Sequence, residues 1–204
     1  MFKLKVKYLD NDKLTLSSDF NNKIYEDEVV NLNFRDLKID ECTFKKIDFG
    51  SSTFSDMEFM DTTFEDCIIT NKCFDNMIFT RCIFKNCKLL GTSFCDADIN
   101  CMQIDNCICT YCNFSGSKIK ELYLSNSKFN EASFIETEFN KVSFDNIDFT
   151  KSDFLNTKLK DINFSTCNIS NCNFDLYSIK GMIINRFQSD NIVELLGIKF
   201  DNES

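Results

Sequence analysis

The sequence contains no histidine, no tryptophan and no proline, and only five glycines among its 204 residues. The lack of histidine removes the most common general base of enzymes and a frequent zinc ligand. The lack of proline is expected where nearly every backbone N–H donates a hydrogen bond to a neighbouring strand. A Gly-rich phosphate loop and a Ser–His or Cys–His pair are missing as well. We therefore predict that the chain is not an enzyme and has no catalytic, cofactor-binding or metal-binding residues.

Long apolar runs are also missing. No stretch approaches the roughly 18 apolar residues of a membrane span. The N-terminus alternates lysine with apolar residues (Phe2, Lys3, Leu4, Lys5) and lacks the apolar segment of a secretory signal. We expect a cytoplasmic protein without a membrane partner. Its net charge of −9 disfavours nucleic-acid binding, which needs a basic surface, and fits a protein that presents negative charge to a basic partner.

An apolar residue does recur at every fifth position, over 151 residues. A period of five matches neither the strand period of two nor the helix period of 3.6. It indicates a backbone that turns one side chain inward every five residues, which is a solenoid. Phe occupies 19 of the 31 consecutive positions, which we call centres. The centres are Phe34, Ile39, Phe44, Phe49, Phe54, Phe59, Phe64, Ile69, Phe74, Phe79, Phe84, Leu89, Phe94, Ile99, Ile104, Cys109, Phe114, Ile119, Leu124, Phe129, Phe134, Phe139, Phe144, Phe149, Phe154, Leu159, Phe164, Ile169, Phe174, Ile179 and Ile184.

A second position supports the repeat. Two residues before each centre lies a small or apolar residue, with Lys72 as the charged exception. We interpret the cysteines at this position as small buried hydrophobes in a reducing compartment, because coils about 4.8 Å apart hold their Cβ atoms beyond the usual disulfide range of about 3.5–4.5 Å. Cys109 takes a centre, and Cys73, Cys95 and Cys101 should point outward. The inward cysteines are Cys42, Cys67, Cys82, Cys87, Cys107, Cys112, Cys167 and Cys172.

This two-position pattern resembles the pentapeptide-repeat family, and the resemblance covers about three-quarters of the chain. The resemblance implies an all-β solenoid, a right-handed quadrilateral β-helix with four pentads to a coil and a short C-terminal capping helix. Twenty residues would form one coil, and coils would stack at about 4.8 Å, the spacing of paired strands. Each coil would be stabilised mainly by its neighbours.

The repeat divides the chain into three parts. Residues 1–33 are predicted to form an N-terminal cap with a β-hairpin, residues 34–184 the β-helix, and residues 185–204 a capping helix and dimerisation tail. The hairpin follows from alternating apolar residues on both sides of a turn at Asp10-Asn11-Asp12. The repeat itself has no insertion that could form a projecting loop.

Helix signals follow directly after the last centre. Asn185 is a good N-cap, and Gln188 lies three residues further on, at capping-box spacing. With Gly197 as the terminating residue, we expect a helix over about 186–196. A short strand is expected at 198–200. Four apolar residues near the end, which would otherwise lie exposed, are predicted to form a homodimer contact: Leu195, Leu196, Ile198 and Phe200.

Two short stretches narrow the resemblance. The run from Ile179 to Asn185, followed by Gln188 and by Leu195-Leu196-Gly197-Ile198, looks like the end of the Qnr-type quinolone-resistance proteins. The lead-in from Val30 to Asp36 looks like Gram-positive members of that group. The resemblance implies a rod capped by its C-terminal helix, two chains joined end to end, and a type II topoisomerase as partner.

Stacking at twenty residues also predicts columns on the outer surface. Two adjacent columns bring seven carboxylates to one edge, which we call the acidic stripe and which would imitate the phosphate rows of DNA for a basic groove. The alternative is an ordinary solvated face, and Lys38, Lys118 and Lys158 interrupt the stripe. A further column of four asparagines predicts amide hydrogen bonds between coils. The acidic stripe consists of Asp36, Asp56, Glu58, Asp96, Asp98, Glu136 and Glu138.

Three functions are compatible with these features. The first is binding to DNA gyrase and topoisomerase IV, which would be protected from quinolones or a natural poison. The second is a structural or scaffold solenoid without a topoisomerase partner, since fold does not fix function. The third is immunity against a peptide topoisomerase poison made by the same cell.

Overall fold

Parallel pairing between residues twenty positions apart builds the structure. The register joins Phe44 to Phe64, Phe64 to Phe84 and Phe84 to Ile104, so equivalent side chains of successive coils lie above one another. The predicted four-sided β-solenoid is confirmed. The computed structural model describes residues 21, 23–26 and 28–198. The predicted hairpin within residues 1–20 and the end of the tail from residue 199 lie outside the described residues.

Short strands run through the described residues, because the chain turns a corner every five residues. Helical structure lies after the last centre, where two 3₁₀ turns, Arg186–Gln188 and Glu194–Leu196, flank α1 (Ser189–Val193). The strands are β1 (Ile24–Glu26), β2 (Asn33–Arg35), β3 (Lys38–Asp40), β4 (Thr43–Lys45), β5 (Thr53–Ser55), β6 (Glu58–Met60), β7 (Thr63–Glu65), β8 (Ile78–Lys85), β9 (Asp98–Asp105), β10 (Lys118–Ile119), β11 (Leu122–Ser125), β12 (Glu138–Phe139) and β13 (Val142–Asp145).

We number the four sides of the coil by their first centres: face 1 begins at Phe34, face 2 at Ile39, face 3 at Phe44 and face 4 at Phe49. Strand ladders run along face 2 (β3, β6, β8, β9, β10, β12) and along face 3 (β4, β7, β8, β9, β11, β13). Strands β8 and β9 belong to both faces because each continues around a corner. Single bridges join successive coils on face 4, and on face 1 after β2 and β5. Faces 2 and 3 are therefore the most regular surfaces.

The second residue after a centre makes each corner in a left-handed backbone conformation. At 23 non-glycine corners φ lies between 45° and 70°. Asn and Asp fill 14 of these 23 positions, because their short polar side chains tolerate this conformation best after glycine. At the corner Gly116, φ is +70° and a Cβ would lie 2.3 Å from Oδ1 of Asp96. Backbone geometry alone thus accounts for much of the regular spacing of Asp and Asn.

Phenylalanine rings fill the inside of the coil. The rings of Phe94 and Phe114 stack with centroids 4.8 Å apart and planes 10° apart, and Phe84 meets Phe94 edge-on at 6.1 Å. Both arrangements are favourable for aromatic quadrupoles. Of the 31 predicted centres, 28 are buried, which confirms the core. The half-buried centres are Phe139, Ile179 and Ile184.

The small inward position bonds successive coils together. Cys67 Sγ donates to the carbonyl of Phe44 at 3.2 Å, and Thr137 Oγ1 donates to the carbonyl of Phe114 at 2.8 Å. Donor and acceptor are 23 residues apart in both pairs, and the same contact recurs at further Cys and Ser residues of this position. Ser, Thr and Cys therefore add a hydrogen bond between coils at little cost in volume.

Lys72, the charged exception, reaches the preceding coil. Its Nζ donates to the carbonyl of Gly50 at 2.5 Å. Burial lowers the pKa of Lys72, and the nearby carboxylate of Asp48 acts in the opposite direction. A long cation is tolerated at this inward position because its charged end finds a carbonyl acceptor at the corner.

The solenoid begins before Phe34 in a shifted register. Tyr25 pairs with Phe44, which is 19 residues away, and is fully buried. Val30 is buried as well, and its N–H donates to the carbonyl of Asp48 at 2.7 Å. Tyr25 and Val30 therefore occupy centre positions, but only four residues separate Val30 from Phe34. This one-residue slip interrupts the period of five.

The helical segment 186–196 closes the C-terminal end. The side chain of Asn185 accepts from the N–H of Phe187 at 2.9 Å, and Gln188 Oε1 accepts from the N–H of Asn185 at 2.7 Å, so the predicted capping box is confirmed. Gln188 also donates to two carbonyls of the preceding coil. The predicted extent of the helix is confirmed, although only five residues are α-helical. Gly197 follows with φ of +72°.

Replacing Phe114 by Ala should lower the free energy of unfolding by about 3–5 kcal/mol, the usual cost of removing a buried aromatic ring from a rigid core. The half-buried Phe139 provides the control, and its replacement by Ala should cost clearly less. Urea unfolding followed by far-UV circular dichroism measures both values. Equal losses at the two positions would contradict a core that depends on the stacked ring column.

Candidate interaction surface

The acidic stripe forms along the edge between faces 1 and 2. The strand pairs place Lys38, Glu58, Ile78, Asp98, Lys118 and Glu138 in one row, in the predicted order. A parallel row lies at the adjacent corner and consists of Asp36, Asp56, Asn76, Asp96, Gly116, Glu136 and Asn156. Six of the seven predicted carboxylates are exposed, and Glu58 is half-buried. The structure thus brings all seven side chains to one edge.

The two rows of the stripe have different causes. Asp36, Asp56 and Asp96 occupy left-handed corners, where Asp is favoured by the backbone whatever its charge does. Glu58, Asp98 and Glu138 lie on extended strands, where the backbone has no preference for carboxylates and β-propensity disfavours Asp. Folding therefore does not explain these three strand residues, nor Glu136, whose left-handed corner favours Asp or Asn over Glu.

Basic side chains neutralise the N-terminal end of the stripe. Arg35 Nε lies 3.3 Å from Oδ2 of Asp36 and 4.0 Å from Oδ2 of Asp56, and Lys38 Nζ lies 4.0 Å from Oε1 of Glu58. These pairs are largely exposed, so each stabilises the fold by at most about 1 kcal/mol. For Asp96, Asp98, Glu136 and Glu138, no basic group of the described residues lies within 4.0 Å. Three carboxylates share two cations at the N-terminal end, and the carboxylates from the fourth coil onward have no such ion pair with a described residue.

The charge density of the stripe is well below that of DNA. Seven carboxylates less Arg35, Lys38 and Lys118 leave a net charge of −4. Five coil steps separate its first and last carboxylates, or about 24 Å at the spacing of paired strands. That is about one net charge per 6 Å, whereas duplex DNA carries one per about 1.7 Å. The stripe is a partial imitation of a phosphate row.

The predicted asparagine column forms hydrogen bonds between coils, with one interruption. Asn106 Nδ2 donates to Oδ1 of Asn86 at 2.8 Å, and Asn146 Nδ2 donates to Oδ1 of Asn126 at 3.0 Å. Between these two pairs, Asn126 turns to Oδ1 of Asp105 at 3.3 Å. The column stabilises the stacking of coils and presents few free amides to a partner.

A groove that sequence reasoning missed lies at the corner between faces 2 and 3. It has a volume of about 300 Å³ and is lined in part by Arg81, Cys101, Glu121 and Tyr123. Arg81 makes a bidentate pair with Asp61, with Nε 2.6 Å from Oδ1 and Nη2 2.5 Å from Oδ2. This hydrogen bond raises the pKa of Arg81. Because the Asp61 carboxylate already pairs with the Arg81 guanidinium, Arg81 is not a free cation for a ligand in this groove. Asp61 and Arg81 are twenty residues apart, at equivalent corners of successive coils, so the sequence could have predicted this ion pair.

The twelve cysteines are free thiols. Burial raises the pKa of Cys82 to about 12 and that of Cys172 to about 12, so both stay protonated at neutral pH. Of the three predicted outward cysteines, Cys73 is exposed, and Cys95 and Cys101 are half-buried. Within the described residues, no three Cys, Asp or Glu side chains are arranged to hold a metal ion.

The apolar residues of the predicted dimer contact fall into two groups. Leu195 is half-buried and packs against the end of the core, whereas Leu196 and Ile198 are 57% and 51% exposed. Phe200 lies outside the described residues. Phe187, which sequence reasoning did not select, is 94% exposed at the same end. An apolar residue in the first turn of the predicted helix, two residues after the N-cap Asn185, could have indicated this exposed ring in the sequence.

Family models place the chain among proteins with this repeat. The model described as "Pentapeptide repeat region" matches residues 57–134, and that described as "Pentapeptide repeats (8 copies)" matches residues 118–154 and 127–165. Together these matches span residues 57–165, more than half of the chain. The chain belongs to the pentapeptide-repeat family.

Similar solved structures share low sequence identity with the chain. A trypsin-treated form of QnrB1, a plasmid-mediated fluoroquinolone resistance protein, is 20% identical with a TM-score of 0.42, covering 86% of this chain and 99% of that chain. A pentapeptide repeat protein of the Arabidopsis thaliana thylakoid lumen is 23% identical with a TM-score of 0.33, covering 57% and 68%. HetL of Nostoc sp. strain PCC 7120, involved in heterocyst differentiation regulation, is 8% identical with a TM-score of 0.24, covering 82% and 88%. No curated protein matches the sequence.

Among the described residues, no helix is long and apolar enough to cross a membrane.

Proposed function

We propose that this chain is a cytoplasmic binding protein that docks on a type II topoisomerase, DNA gyrase or topoisomerase IV, and protects it from quinolones or a natural poison. The strand row of the acidic stripe carries the proposal, because Glu58, Asp98 and Glu138 lie exposed or half-exposed where folding has no need of carboxylates. The resemblance of the chain end to Qnr-type proteins gives the class of partner. The interaction requires no catalysis by this chain.

The low charge density sets the expected strength of this interaction. Because the stripe has about a quarter of the charge density of a DNA duplex, it should compete with DNA only where its shape also fits the binding groove. Weak competition suits protection, since a protein that excluded DNA completely would inhibit the topoisomerase.

The ion pairs of Arg35 and Lys38 favour a second candidate function. A stripe whose N-terminal carboxylates are already compensated is also what a scaffold solenoid with an ordinary solvated edge would present. Such a rod would have another partner and no effect on topoisomerases.

Reversing the charge of the strand row should test the topoisomerase proposal. A variant with Glu58→Lys, Asp98→Lys and Glu138→Lys should need at least about tenfold more protein to protect gyrase, because a basic row is repelled by a DNA-binding groove. The measurement is quinolone-dependent DNA cleavage and supercoiling by purified gyrase, with each protein titrated.

The matched control lies on face 3 in the same three coils. A variant with Glu65→Lys, Asp105→Lys and Asp145→Lys has the same net charge and should protect like the parent protein, provided that circular dichroism shows both variants folded. Equal loss in the two variants would contradict a specific stripe. Absence of any effect of the parent protein would favour the scaffold function.

The C-terminal end is proposed to join two chains. Replacing Phe187 and Leu196 by Ser should convert an end-to-end dimer into a monomer, because the replacements remove exposed apolar surface that dimerisation would bury. Light scattering after size exclusion measures the mass, in salt high enough to screen contacts between charged faces. The control replaces Ile68 and Ile108, exposed on face 4, by Ser and should leave the mass unchanged. A parent protein that is monomeric at high concentration would contradict the proposal.

A further inference from the structure

Face 2 reverses its charge halfway along the rod. The two residues that flank each of its centres carry a net charge of −2 from Lys38 to Asn100 and +4 from Lys118 to Lys180, although the whole chain has a net charge of −9. Beyond Phe139 these residues lie outside the strands, and Ser178 is buried. The charged residues of the N-terminal half are Lys38, Asp40, Glu58 and Asp98. Those of the C-terminal half are Lys118, Lys120, Glu138, Lys158, Lys160 and Lys180.

The lysines of the C-terminal half have no ionic partner within the described part of the chain. Lys118, Lys120, Lys158, Lys160 and Lys180 are all exposed, and none has its Nζ within 4.0 Å of a described carboxylate. By contrast, Lys141 at the adjacent corner pairs with Glu121 at 3.6 Å. Five unpaired cations on one face of an acidic protein form a surface to which an anionic surface can bind.

We propose that this surface is face 2 of a second copy of the chain, docked with its rod axis antiparallel. A two-fold axis parallel to the strands, between the coil of Asp98 and that of Lys118, brings the acidic half of each copy onto the basic half of the other. It places Asp98 opposite Lys118 of the second copy and Glu58 opposite Lys158. The symmetry creates each pair twice, as an isologous interface requires.

Like charges do not meet between Glu58 and Lys160 in this register. Each remaining outward residue of face 2 in this span faces a residue without charge of the same sign. These further opposed pairs are Met60 with Lys160, Ile78 with Glu138, Thr80 with Asn140, and Asn100 with Lys120. The Met60 side chain can cover the aliphatic stem of Lys160.

An apolar contact coincides with the same register. Ile78 is 45% exposed at the middle of face 2, where an outward strand residue is usually polar. A shallow groove of about 240 Å³ lies beside the half-buried Phe139 and is lined by Lys118, Lys120 and Glu138 among others. Antiparallel docking sets Ile78 of each copy over this groove in the other. Docking in this register would thus bury both the exposed side chain of Ile78 and the exposed part of Phe139.

The size of the face permits a dimer of modest strength. Eight coils at about 4.8 Å and a width of about 15 Å give about 600 Å² per copy. The total of about 1,200 Å² reaches the lower end of specific interfaces. Because the attraction is largely between exposed charges and the copies repel through their net charge, association should depend strongly on salt. Docking through face 2 needs no topoisomerase, but it would cover Glu58, Asp98 and Glu138.

Two charge variants test the register. One carries Lys118→Glu and Lys158→Glu, and the other carries Glu58→Lys and Asp98→Lys. Each variant alone sets like charges opposite one another at positions 98 and 118 and at positions 58 and 158, and should repel itself. Both are made in the full chain with Phe187→Ser and Leu196→Ser, so that contacts at the C-terminal end do not contribute. Sedimentation equilibrium at about 50 mM and about 500 mM salt measures association.

The parent of both variants, the full chain with Phe187→Ser and Leu196→Ser, should dimerise at low salt, with at least about a tenfold weaker affinity at high salt. Each variant alone should be monomeric where the parent is half dimeric, and an equimolar mixture of the two should form heterodimers. Control variants on face 3, Lys45→Glu with Lys85→Glu and Glu65→Lys with Asp105→Lys, should associate like the parent. A monomeric parent, a mixture that stays monomeric, or equal losses in the controls would overturn the proposal.

Discussion

Aromatic stacking across a twenty-residue register is the interaction on which the rest of this structure depends. Each ring, such as that of Phe94, has its neighbours in the coils above and below, so no coil buries its core alone. The parallel ladders and the hydrogen bonds of the small inward position act in the same direction, between coils. A change in one coil is therefore felt mainly by the two coils beside it.

This constraint leaves three outward positions in each pentad, and these positions differ in how much they indicate about a binding partner. The corner position selects Asp, Asn or Gly for its left-handed backbone, so an acidic corner such as Asp56 says little about a partner. The two strand positions have no such requirement. The backbone does not explain a charged residue at these positions, such as Asp98 or Lys158, so the explanation must lie in what that surface contacts.

The sequence predicted the coil, the core and the outer columns because a strict period converts position directly into geometry. It did not predict features that break the period or depend on side-chain reach. Tyr25 and Val30 enter the core one residue out of register, which a search for fifth residues cannot detect. Lys72 turns toward the Gly50 carbonyl, and Phe187 remains exposed although it is apolar, and both outcomes depend on local packing. The carboxylates of the acidic stripe lie in the predicted columns, but the ion pairs of Arg35 that weaken the stripe required side-chain positions.

Competition for the DNA-binding surface of gyrase is the most direct test of the functional account. The measurement is fluorescence anisotropy of a labelled DNA duplex bound to purified gyrase while this protein is titrated. The account predicts that the protein displaces part of the DNA, with displacement weakening as salt is raised, because both ligands use charge to occupy one groove. DNA that stays fully bound while this protein also binds gyrase would contradict it, since the two would then occupy separate sites.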